Sequence, residues 1–338
     1  LSGGSFTAPD YQILNVPGTI NVGGQGTIDI DTTEELNLDG EFITGSQSEI
    51  RSSNLQKLNL NGKIQTGQDT DINLSNLNQF NADSTSELTV GGNLDLSGLQ
   101  NSLTISNTVD VGGTTNISGL NNLSIQNQFT TNSINAENIR NLSINGDTAI
   151  NGRLNTSNLE MIDIQASSQL DLRNGEDPFV LDNVENISVT GNLLLGTDRS
   201  ISLPDLQDLG IIGTIDVTRG EINATELKNL YIDTNQPLGD TDWNIFRDLD
   251  YVEITQNGAI TGDKNFSMVA SKLLLAGDIR FNKVNLSSTE LNITNSGSID
   301  VSSRGYSRES GPGAGGRGGG KKDGKASGAG HGGWGGYV

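Results

Sequence analysis

Apolar residues along the chain fall into one recurring phrase, Leu-x-x-Leu-x-Leu, with Ile or Val standing freely for Leu. It fits Leu55/Leu58/Leu60, Leu120/Leu123/Ile125, Ile139/Leu142/Ile144 and Leu159/Ile162/Ile164. It continues at Val184/Ile187/Val189, Leu206/Leu209/Ile211, Leu227/Leu230/Ile232 and Leu249/Val252/Ile254. Weaker copies stand at Leu36/Leu38, Leu77/Phe80, Leu99/Leu103/Ile105 and Leu291/Ile293. From Leu36 to Val252 the second anchor returns every 19 to 25 residues, with a mean near 22. A fixed period of this size is the signature of a solenoid, in which each repeat buries its apolar side on the next.

After each phrase come two further short runs that alternate apolar and polar, such as GKI (62–64) and DINL (71–74). Alternation over three to five residues predicts strands. Leu58, Leu60, Ile72 and Leu74 are then expected to point inward, and Asn59 and Asn73 outward. Corners are expected just before the phrase, at pairs such as Ser53-Asn54, Ser97-Gly98, Asp182-Asn183 and Pro204-Asp205. These residue types accept the backbone angles of a sharp corner. Three strands per repeat give an all-β fold, a parallel β-helix of about 11–12 coils of ~22 residues. The usual crossover preference makes it right-handed, and stacking at roughly 4.8 Å gives a rod of about 50–60 Å. The expected division is a capping or joining segment over 1–32, the β-helix over 33–303 and a glycine-rich tail over 304–338.

The leucine-rich repeat is the rival, since it shares the strand phrase. It needs Asn or Cys three residues after the last anchor. That slot holds Lys63, Gln128, Asp147, Ser167, Asn192, Thr214, Asn235 and Asn257, and the rest of each unit alternates like strand. The β-helix is therefore the better account, with a leucine-rich ligand-binding module as its alternative.

The run ELTVGGNLDLSGLQNSLTISNTVDVGGTTNISGL (87–120) resembles the repeats of filamentous-haemagglutinin-type and autotransporter-like surface adhesins. The glycine-rich segment over 296–336 is similar to insertions in giant secreted β-helical proteins. These resemblances imply an extracellular, cell-surface protein serving adhesion or architecture, without a catalytic residue to carry over. The partners they imply are other copies end to end or other surface proteins, with carbohydrate as a further candidate.

Composition agrees with a narrow, uniform core. Aromatic residues make up 4% of the 338, and Met contributes 2. The 39 Asn, with abundant Ser, Thr and Gly, suit turns and polar ladders better than helices. No apolar run approaches the length of a membrane span. The chain opens at Leu1 without a basic, apolar leader, which suggests a processed chain or a piece of a longer one. Zero Cys excludes disulfides and thiolate metal sites. Residues 304–338 carry six basic and two acidic side chains, a balance of +4, which leaves −25 on the rest of a chain of net −21. So acidic a body disfavours nucleic acid and anionic membrane as partners.

Candidate chemistry is sparse, and the chain is expected not to be an enzyme. The single histidine, His331 in AGHGG, could suggest a polygalacturonase. That chemistry needs clustered carboxylates beside it, and the histidine sits in a glycine tract at the chain end. Lys63, Asp69 and Asp71 are an imaginable lyase set. Asp29 and Asp31 in TIDID lie on one strand face and are weak Ca²⁺ candidates, and no other cofactor is expected. Ten Asn-x-Ser/Thr sequons offer possible glycosylation, at Asn73, Asn116, Asn122, Asn141, Asn155, Asn186, Asn223, Asn265, Asn285 and Asn292. About eight arise by chance in this composition. Trp243 and Phe246, with Tyr251 nearby, could form a sugar-stacking platform or mark an irregular coil. In the tail, Tyr306, Trp334 and Tyr337 stand among 15 glycines in residues 305–338 and are candidate assembly contacts.

Overall fold

The structure is a computed structural model that describes residues 3–175, 179–218, 220–235, 242–262 and 265–301. Among them there is no helix, and every strand pairing is parallel, building a β-solenoid of about 13 coils spaced ~21 residues apart. At about 4.8 Å per coil the rod is roughly 60 Å long.

Each coil visits three faces. The leucine face holds the phrase itself, from Ile13–Val16, Glu35–Leu38 and Lys57–Leu60 through to Lys283–Ile293. The second face begins with Thr19–Val22, Glu41–Thr44 and Lys63–Gln65. The third begins with Ser5–Thr7, Thr27–Asp29 and Glu49–Arg51. Strands of one face pair with their counterparts a coil away, so Leu36 lies against Leu58, and Leu123 against Leu142. One continuous apolar column results, with Leu58, Leu60, Ile72 and Leu74 all inside and Asn59 and Asn73 outside, as alternation predicts.

Three features refine the sequence reading and have physical causes. The leucine face is two sheets of 4 and 10 strands, divided between Gln79–Ala82 and Asn101–Ile105. There the anchors Leu99 and Leu103 are one residue too far apart, and the surplus is absorbed by Asn101 at φ 70° and a register shift beside it. Beyond Val252 a coil led by Leu273, which the phrase did not mark, precedes the one at Leu291, marked only as a weaker copy. Their first anchor is small or polar, Ala270 and Ser288, because Asn265–Leu275 and Lys283–Ile293 run straight through the usual corner. Finally, the segment 1–32, expected to cap or join, supplies strands at Ser5–Thr7, Ile13–Val16 and Thr19–Val22 in register with the following coil.

Corners are closed by close backbone approach. A Cβ on Gly62 would stand 1.9 Å from the carbonyl oxygen of Gly40, and one on Gly213 1.9 Å from that of Gly191. No side chain fits there. At the corner leaving the third face, Asn73 and Asp95 accept the N–H of Ser75 and Ser97, each at 2.9 Å. Such local turns are what Asx residues provide.

Candidate functional site

Among the described residues the interior is filled by packed apolar side chains, so a site among them must lie on the outer rows, the corner grooves or the two ends. Because the faces stack in register, residues a coil apart form rows about 4.8 Å apart. On the leucine face Asn15, Asn37, Asn59 and Asn81 form such a row, each amide donating to the Oδ1 of the preceding one at 2.8, 2.5 and 2.7 Å. Beside it, Lys57 pairs with Glu35 at 3.1 Å. This polar ladder fixes register as the core does, since slipping one coil by one residue would break the bonds it makes to the coils on either side.

The ten sequon asparagines all occupy outward positions, and none is buried. Asn73, Asn116 and Asn155 share one row of the third face with Asp95 and Asn135. Asn116 donates its amide to Asp95 at 3.2 Å, and Asn155 donates to Asn135 at 3.3 Å. Asn122, Asn141 and Asn186 share a row of the leucine face, with Asn141 donating to Asn122 at 2.7 Å. Asn223, Asn265, Asn285 and Asn292 lie in later strands. These bonds give several of the asparagines a structural reason apart from any glycan.

Asp29 ends its strand, whereas Asp31 sits in the following turn. The two carboxylates are therefore not presented on one strand face. Asp29 Oδ1 accepts the Asp31 N–H at 3.2 Å, and Asp31 Oδ1 accepts both the N–H and the hydroxyl of Ser53 at 2.8 Å. Those two bonds, the backbone one first, hold the Asp31 carboxyl below its ordinary pKa. No group of three or more His, Cys, Asp or Glu suited to a metal occurs among the described residues.

Lys63 is ion-paired with Glu87 at 3.0 Å, while Asp71 accepts the Asn93 N–H at 2.7 Å, so each of these members of the imagined lyase set has a different partner. Phe246 is buried rather than displayed. It meets Phe266 edge-on at 4.9 Å, and Phe266 stacks on Phe281 at 4.6 Å, an internal aromatic column under the last coils. Trp243 pairs by backbone with Ile222 in the third face. His331, Tyr306, Trp334, Tyr337 and the rest of the glycine-rich tail lie outside the described residues.

Two open grooves follow the corner between the third and leucine faces. One, of about 510 Å³, is lined by uncharged groups that include Asn54, Gln56, Asn76, Asn78 and Gln100. The other, of about 810 Å³, is acidic, with Glu160, Glu185, Asp205 and Glu226 against Lys228. Sequence reasoning missed both, although Gln56, Asn78 and Gln100 recur at the coil period.

The last described coil differs from the flanks. Leu291, Ile293 and Ile299 continue the core columns of Leu273, Leu275 and Ile279. Yet they are 45%, 46% and 37% exposed, with Val301 beside them at 47%. At the other end Phe6, Leu14 and Ile20 are half-buried at the start of the same columns. No protein-family model matches the chain, and neither curated proteins nor solved structures match it.

Proposed function

We propose that the chain is a structural or adhesive rod of a cell surface, extended at its ends by further copies of itself or by other surface proteins. The observation that carries this reading is the exposed continuation of the core at Leu291, Ile293 and Ile299, above which no further coil stands among the described residues. An open parallel edge also leaves a row of backbone groups ready to pair. All strands run the same way, so the first coil of one copy presents the edge that the last coil of another lacks. Such head-to-tail contact does not close on itself and yields chains rather than rings. The resemblance of residues 87–120 to surface β-helices supports the extracellular setting, and the +4 tail against the −25 body supports docking of the tail in these contacts. On this reading the chain performs no catalytic step.

The test compares wild type with a variant carrying Leu291→Lys and Ile293→Lys by light scattering and negative-stain electron microscopy. Wild type is expected to form end-to-end chains as concentration rises, and the variant to stay single. A wild type that remains monomeric throughout, or a variant that assembles equally, overturns the reading.

A further inference from the structure

The leucine face presents two outward rows along its length. In the paired registers they carry chiefly Asn, Ser, Thr, Asp, Glu, Gln and Lys. The pattern changes at one place. Gly210, Tyr231 and Glu253 are successive members of one row, and Asp208, Asn229, Tyr251 and Lys272 of the other. Tyr231 is exposed at 36% and Tyr251 partly so, and the two are diagonal neighbours across adjacent strands. Strand spacing and rise place them about 8 Å apart.

Gly210 is the second anomaly. A glycine weakens a strand interior and gives nothing to pack. A Cβ built there meets no atom within 4 Å, so no neighbouring backbone demands the glycine, and the Tyr231 ring does not cover it. The result is a notch beside an exposed ring, with Ile212 exposed at 45% at its corner. Around it the carboxylates are held in place. Glu253 accepts the Tyr251 hydroxyl at 2.9 Å, Asp208 accepts the Asn229 amide at 2.6 Å, and Asp233 accepts from Asn257 at 3.1 Å. Burial first, then the charges of Asp233 and Glu253, raises the Tyr231 phenol above its ordinary value. The acidic groove meets this surface, because its wall residues Gln207 and Lys228 immediately precede Asp208 and Asn229.

We propose that Tyr231 and Tyr251, with the notch at Gly210, form a shelf that binds a neutral oligosaccharide running from the corner groove onto the leucine face. A pyranose has an apolar C–H face that suits an exposed aromatic ring. Its rim of hydroxyls suits fixed carboxylate acceptors and amides. The acidic groove repels uronate or sulfated chains. Lys228 and Lys272 flank Tyr251 beside these carboxylates, so recognition at the rings rests on stacking and hydroxyl contacts rather than on net charge. This inference goes beyond end-to-end assembly and does not depend on it.

The test is saturation-transfer NMR and titration calorimetry on the full chain with hexasaccharides of β-1,4-linked glucose, N-acetylglucosamine and mannose, and with hexalysine as the cationic probe. At least one neutral hexasaccharide is expected to bind. Tyr231→Ala and Tyr251→Ala should each weaken it by about tenfold, the scale of one lost stacking contact. Gly210→Thr should fill the notch and weaken binding similarly while melting no lower than wild type, which separates a binding role from a folding one. The shelf is refuted if no neutral hexasaccharide binds at about 5 mM, a weak-affinity ceiling. It is equally refuted if binding survives both tyrosine variants, or if hexalysine alone binds.

Discussion

Leu142→Asp and Ser143→Asp put the same carboxylate on adjacent residues that the fold sends in opposite directions. Leu142 is 3% exposed and lies between Leu123 and Ile162 in the core column. Ser143 faces out, between Ser124 and Asp163. Deleting a buried Leu costs about 2–5 kcal/mol before any charge is considered. An unpaired carboxylate adds several kcal/mol, or takes up a proton and still leaves a buried polar group. Together these rival the ~5–15 kcal/mol that holds a typical domain. Because a solenoid coil touches only its neighbours, the damage should centre on the strands Leu120–Ile125, Asn141–Ile144 and Met161–Ile164. For Ser143→Asp the cost is mainly repulsion from Asp163 in solvent, no more than about 0.5 kcal/mol. Circular dichroism melts give the overall loss, and hydrogen exchange read by mass spectrometry locates it. A Leu142→Asp protein that melts and exchanges like wild type would refute the register. So would a Ser143→Asp protein damaged more than its neighbour.

Other outcomes follow from the same structure. Gly213→Ala drives a Cβ to 1.9 Å from the Gly191 carbonyl oxygen and should lower stability by about 1–3 kcal/mol in denaturant titration. Asn59→Ala removes a donor and an acceptor from the middle of the asparagine ladder, and about 1 kcal/mol should be lost. Asp31 and Asp171 have carboxyls depressed in the folded state, by the Ser53 donors and by the Arg173 side chain respectively. Their stabilisation is therefore full above the ordinary value of 3.8 and is lost as pH falls through the depressed values, so unfolding midpoints should drop below about pH 4. Ser53→Ala, by removing the hydroxyl donor to Asp31, should flatten part of that acid loss. Assays with pectin, alginate and hyaluronan should show no cleavage, and sustained turnover by wild type would make the chain an enzyme.

The solenoid was legible because its cause is periodic in sequence. Leu58, Leu60 and Ile72 had to face one way and Asn59 and Asn73 the other, and the phrase returned often enough to mark a coil. The coil of Leu273 hid, and that of Leu291 showed only as a weaker copy, because Ala270 and Ser288 replace the first anchor where a straight strand replaces a corner. The ladder of Asn15, Asn37, Asn59 and Asn81 was equally periodic, at a spacing of 22, but polar residues facing water carry no obligation to repeat and are easily passed over. Phe246 interrupts the rhythm, which left a surface platform and an irregular coil both open. It is inside because it meets Phe266, which in turn stacks on Phe281, so that aromatic rings of successive coils pack together in the core. The shelf of Tyr231 and Tyr251 could not be found without the structure. The two residues are 20 apart in the chain, and only the observed pairing of Tyr231 with Glu253 makes them neighbours.

The rod itself is tested most directly by distances along one outward row. Ser124, Ser143, Asp163, Ser188, Gly210, Tyr231, Glu253, Leu274 and Asn292 are successive members of that row. The chain has no cysteine, so pairs of introduced cysteines carry spin labels cleanly. Electron–electron resonance between position 124 and positions 210, 253 and 292 should give backbone separations near 19, 29 and 38 Å, which is about 4.8 Å for each coil crossed. A linear series with that increment is the predicted result. Distances that plateau, or fail to grow with each added coil, would contradict a straight parallel stack.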